Sequence, residues 1–168
     1  MKKYACLLGF LISSVAFAAD IEVLGNFDNW AAYSFNDGVD EVCYMATQPT
    51  KSQGKYTRRD DVFLIVTHRP KEKKFDVVNV VAGYTYKTTS KPQLTIDKNK
   101  AIQLVRHENT AWGKNEETDK KLVAEMKKGS QAVLLGTFAR GTKTTDTFSL
   151  KGFSKAYEAI NKACKNEE

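Results

Sequence analysis

The run that comes closest to a reactive motif is Gly136-Thr137-Phe138-Ala139-Arg140-Gly141-Thr142-Lys143-Thr144. A phosphate-binding loop needs its lysine directly after the second glycine and must lead from a strand into a helix, so that backbone N–H groups converge on the phosphate. Here Thr142 separates Gly141 from Lys143, and the flanking segments both read as strands, so a hydroxyl-rich hairpin loop is expected. His68 and His107 stand far apart, with no His-x-x-x-His or Cys-x-x-Cys spacing, which leaves them surface or structural roles and predicts no metal site. There is no Gly-x-Ser-x-Gly, and no triad, catalytic residue or cofactor site can be nominated. A hydrolase or small-molecule carrier would need a site assembled only by the fold, recognisable as a deep pocket with convergent polar groups.

Two basic segments carry more content. Lys51, Lys55, Arg58 and Arg59 fall in one polar stretch, and Arg69, Lys71, Lys73 and Lys74 in another. Brought together they would form an anion-binding patch. Kept apart, they protect strand edges from aggregation. The aromatics Trp30, Trp112, Tyr84 and Tyr86 have a similar pair of readings, as a sugar-binding face or as core and rim.

The elements that must position these residues centre on 62 to 82. Val62-Phe63-Leu64-Ile65-Val66-Thr67 and Phe75-Asp76-Val77-Val78-Asn79-Val80-Val81-Ala82 bracket a basic turn, and two β-branched runs of that length read as a hairpin. Both are apolar at nearly every position, which predicts the centre of a sheet, covered in part on both faces. A first hairpin pairs 27–35 with 41–47 around Asn36-Asp37-Gly38, and a third pairs Gln93–Asp97 with Ala101–Val105. Pro49 to Asp60 has no apolar period and reads as a loop. A helix over Thr118–Lys128 begins among acids and ends in Lys127-Lys128-Gly129, which predicts a left-handed glycine cap. Strands over Gln131–Phe138 and Thr145–Leu150 precede a last helix from about Gly152 to Cys164. About eight strands in hairpins argue for an antiparallel β-sandwich with two short helices, with a closed barrel as the alternative.

The first residues set the address. Lys2-Lys3, an apolar stretch from Ala5 to Val15 and Ala16-Phe17-Ala18 form a secretory signal, with cleavage expected after Ala18 and a single domain over 19–168. Loss of Lys2 and Lys3 takes 26 basic residues to 24 against 20 acidic ones, so the net charge falls from +6 to +4. That mild excess is no signature of nucleic-acid binding, and no further stretch approaches the ~20 apolar residues of a membrane span. Cys43 and Cys164 are the cysteines left after cleavage, an even number suited to one disulfide in an oxidising compartment. Phe153, Tyr157, Ile160 and Cys164 share one helical arc, which turns Cys164 inward toward a strand partner.

Several segments carry a resemblance that extends along the mature chain in order. They are Phe27-Asp28-Asn29-Trp30, Glu41-Val42-Cys43-Tyr44-Met45-Ala46, Val66-Thr67-His68-Arg69-Pro70, the run from Asp76 to Tyr84, Ala111-Trp112, Leu122 to Gly129, Arg140 to Thr147 and Ser149 to Phe153. In these the chain resembles the invasion-associated locus B family of bacterial exported proteins. The resemblance implies an immunoglobulin-like β-sandwich and no known catalytic residues. It also implies a periplasmic or cell-envelope location, with outer-membrane association or secretion as variants. The expected role is binding an envelope or host protein, or an anionic glycan, either in support of host-cell invasion, from which the family takes its name, or in a general role in the envelope. The chain departs from some relatives in having Tyr33 and Ser34 where a cysteine follows Trp30.

Overall fold

In the computed structural model, which describes residues 20–164, the central hairpin is formed by β5 (Phe63–Arg69) and β6 (Lys74–Val81). They are joined by one 3-10 turn over Pro70–Glu72. Pro70 supplies the fixed φ at the start of that turn, and Lys73 closes it at φ 53°, donating its N–H to the Pro70 carbonyl. The expected signal segment lies outside the described residues.

On one side β5 pairs with β3 (Glu41–Thr47), which pairs with β2 (Trp30–Asn36) and then β1 (Glu22–Phe27). On the other, β6 pairs with β10 (Thr110–Trp112) and then β9 (Val105–His107), so β5 is the fourth of seven antiparallel strands. The Asn36-Asp37-Gly38 turn forms as its residues demand: Gly38 sits at φ 87° and the Asp37 carboxylate accepts the N–H groups of Val39 and Asp40. A second sheet contains β4 (Lys51–Gly54), β12 (Lys143–Ser149), β11 (Gln131–Thr137), β7 (Gln93–Ile96) and β8 (Ile102–Gln103), in that order. The chain passes from β8 in one sheet to β9 in the other across buried Leu104. Two antiparallel sheets, rather than one closed cylinder, make this a sandwich.

The helices α1 (Glu116–Lys128) and α2 (Phe153–Ala163) pack on the same side of the large sheet as the second sheet does. Phe153 meets Trp30 edge-on with ring centroids 5.0 Å apart, and the Asp119 carboxylate accepts the Val78 N–H. The Cys43–Cys164 disulfide is present, joining β3 to the end of α2 across Cα atoms 5.9 Å apart. Residues alternating along β2, β3, β5 and β6, such as Ala32, Met45, Leu64, Val66, Val78 and Val80, close the core against Leu94, Leu134 and Phe148.

Several expectations require correction. Among the described residues there are twelve strands rather than about eight. β4 lies within the stretch read as a loop: its four side chains are all exposed, so it has no apolar period, and it is held by backbone pairing to β12. β1, β9 and β10 escaped for a similar reason, being edge or near-edge strands with few buried side chains. Gly129 is extended, at φ −87°, and not left-handed. Its glycine is required by close approach, since a Cβ there would lie 2.5 Å from Ile96 Cγ2. α1 starts two residues earlier than expected, at Glu116, because Asn115 caps it by accepting the Thr118 N–H at 3.0 Å. Finally, among the described residues β5 and β6 are covered by the rest of the fold on one face only.

Candidate binding face

The strand register determines which side chains share the other, outer face of the large sheet. Directly paired residues in adjacent strands point the same way, so Val23, Tyr33, Tyr44, Thr67 and Val77 form one row across it. The next row is Asn26, Ala31, Ala46, Ile65, Asn79, Trp112 and Val105. A third contains Phe63, Val81, Thr110 and His107. The first two rows contain no ionisable acid or base other than tyrosine. Most of these side chains are half-buried by their strand neighbours, while Val23 and Val105 at the two margins are 58% and 51% exposed. Tyr33 and Tyr44 stack at 5.0 Å, and burial, with Tyr33 adjacent, pushes the Tyr44 phenol upward in pKa. Small residues at 31 and 46 leave a depression of about 230 Å³ bordered by Tyr33 and Phe63. The Asn79 Oδ1 is occluded in this face and has no hydrogen-bond partner among the described residues. This is the alternation that sequence reading missed: both faces of β5 and β6 are apolar, but for different reasons.

The two basic segments are held at opposite ends of β5, a strand whose seven residues span ~20 Å. Arg59 is turned into the protein. Its guanidinium makes a two-pronged contact with Asp146 at 2.7 and 2.8 Å, its Nε donates to the Ala82 carbonyl, and it lies 4.9 Å from the centre of the Tyr84 ring. Asp146 is 0% exposed, so this pair belongs to the core. Arg69 bonds Asp37 at 2.8 Å, Lys74 bonds Glu72 at 2.5 Å, and the Lys71 ammonium donates to the Val39 carbonyl. Lys51, Lys55, Arg58 and Lys73 are exposed. The structure therefore separates the eight cations into an internal clamp, a set of local ion pairs and scattered surface charges. The segment from Gln48 to Val62 borders an open cleft of about 560 Å³ that includes Tyr56, Arg58, Asp60 and Asp61.

The other residues singled out by type are structural. His68 is fully buried opposite Cys43; its Nδ1 accepts the Asp76 N–H at 3.1 Å, which leaves Nε2 as the donor to Asn161 Oδ1 at 2.7 Å. Asp76 in turn accepts the Tyr157 hydroxyl at 2.6 Å. Trp30, Tyr84 and Tyr86 are core residues, whereas Trp112 is half-buried on the outer face. The Gly- and Thr-rich segment spans the end of β11, the hairpin loop over 138–142 and the start of β12, with Gly136 paired to Thr144 and Gly141 at φ 97°. Among the described residues, no cluster of His, Cys, Asp and Glu could hold a metal ion, and no helix is long and apolar enough to cross a membrane.

A disulfide-linked β-sandwich with a broad uncharged sheet face is the class defined by this geometry. Residues 30–161 match the family model described as Invasion associated locus B (IalB) protein, so the chain belongs to that family. The family is not a known enzyme family. No curated protein and no solved structure matches the chain.

Proposed function

We propose that this is a non-catalytic cell-envelope protein, exported by a signal cleaved after Ala18, that works by docking another protein on the outer face of its large sheet. One observation carries the reading: the rows from Val23 to Val77 and from Asn26 to Val105 are uncharged, and among the described residues no helix and no strand of the second sheet packs on them. Apolar patches rimmed by polar residues mark interaction sites, and Tyr33, Tyr44, Ile65, Val77 and Trp112 lie together on this face, half-buried, beside Asn26, Thr67 and Asn79. The disulfide and the absence of a helix able to cross a membrane among the described residues are compatible with export. Binding an anionic glycan through the loop cations is the weaker reading, because Arg59 is internal and Arg69 and Lys74 are already ion-paired. On this account any contribution to host-cell invasion runs through protein contacts rather than through chemistry on a substrate.

The test is retention of the purified mature chain on the bacterium's own envelope fraction. Ile65→Lys, which places a charge in the middle of the face, should abolish retention. The quadruple variant Lys55→Glu, Arg58→Glu, Lys73→Glu, Lys74→Glu should keep it. The opposite pattern would transfer the function to the basic loops.

A further inference from the structure

We infer that the occupant of the outer face is a second copy of this chain, docked sheet on sheet in a two-fold dimer. The inference rests on the proposed reading of that face as the binding surface and adds the identity of the partner. The mature chain carries +4, and like-charge repulsion between two copies is smallest where neither brings charge into the contact, as in the two central rows of the outer face.

Register supplies the shape argument. β5 is the middle strand of seven, and Ile65 lies on it in the row Asn26, Ala31, Ala46, Ile65, Asn79, Trp112, Val105. A two-fold axis lying in the interface and running along β5 reflects strand positions about the centre. It brings Ile65 onto Ile65, and it places Trp112, two strands to one side, over Ala31, two strands to the other. Ala31 borders the depression that the small residues leave beside Tyr33 and Phe63. The largest side chain of the row thus meets its smallest, twice by symmetry, as an isologous contact requires. In that arrangement the three rows overlap their mates at three, seven and one strand positions, and at ~4.8 Å by ~6.6 Å for each these give about 350 Å² before side-chain relief and rim contacts are added. That is below the ~800 Å² per partner of an ordinary specific interface and fits a weak, concentration-dependent dimer.

The experiment is sedimentation equilibrium of the mature protein over a wide concentration range, with two variants. The wild type should be a dimer with a finite dissociation constant. Ile65→Lys would bring two charges together on the axis, so it should weaken association at least about tenfold while the thermal transition remains cooperative. Ile65→Cys should form an intermolecular disulfide with its own copy under mild oxidation, whereas Lys98→Cys, on an exposed turn remote from the face, should not. A monomer at every concentration overturns the dimer. So does a dimer that Ile65→Lys leaves intact, since its contact would lie elsewhere. Both outcomes are distinct from failure of the envelope-binding reading, which is judged by retention on the envelope fraction and not by mass.

Discussion

Arg59 and Asp146 decide how one end of the sandwich closes. The guanidinium, from the segment before β5, reaches a carboxylate on β12 and lies against Tyr84, whose hydroxyl bonds Thr144 at 2.7 Å. A buried pair of this kind is costly to break from one side only, because the partner charge is left without solvent or counter-charge. Arg59→Ala should therefore lose ~3–5 kcal/mol in urea unfolding, while Arg59→Met with Asp146→Leu should recover most of that loss. Asp119 makes a second prediction at this scale. Burial, opposed by the Val78 N–H, pushes its carboxyl from 3.8 up to about 6. In that window the folded chain keeps a proton that the unfolded chain has released. The contribution of this group is therefore full below pH 3.8 and disappears as pH rises through about 6. Asp119→Asn should remove this fall, so the wild-type minus variant stability should decline between those pH values. A flat difference would contradict the assignment.

At the scale of elements, the disulfide adds a covalent restraint to the buried packing of α2. It connects residues 121 apart, and α2 docks through Phe153, Tyr157 and Ile160 beneath the same strands. Cys43→Ser with Cys164→Ser should lower stability by ~2–5 kcal/mol in denaturant unfolding, since the long loop is then unrestrained in the unfolded chain. Gly152 fixes where α2 begins: its φ is 92°, and a Cβ there would lie 1.8 Å from the Phe27 carbonyl oxygen. The hairpins, both helices and the cysteine pairing were legible in the sequence because each carries periodicity, turn chemistry or parity in its own residues. β4 was not, because Lys51-Ser52-Gln53-Gly54 contributes only backbone to the sheet. The cap at Gly129 was misread because a glycine needed for close packing looks identical in sequence to one needed for positive φ. The internal role of Arg59 had no local signal at all, since Asp146 lies 87 positions away.

For the whole molecule, the basic segments and the outer face compete as the working surface. Reversing Lys55, Arg58, Lys73 and Lys74 to glutamate should shift stability by no more than about 1 kcal/mol, since these side chains are exposed. The outer face was half legible: the apolar runs at 62–67 and 75–82 marked the central strands, but an apolar face left open reads in sequence like one already covered. The most direct measurement of the central claim is hydroxyl-radical footprinting of the mature protein, dilute and alone, against the same protein bound to its envelope fraction. The account predicts that Tyr33, Tyr44, Phe63 and Trp112 lose reactivity on binding while Tyr56, in the open cleft beside the first basic segment, does not. Protection of Tyr56 with the four outer-face aromatics unchanged would contradict it.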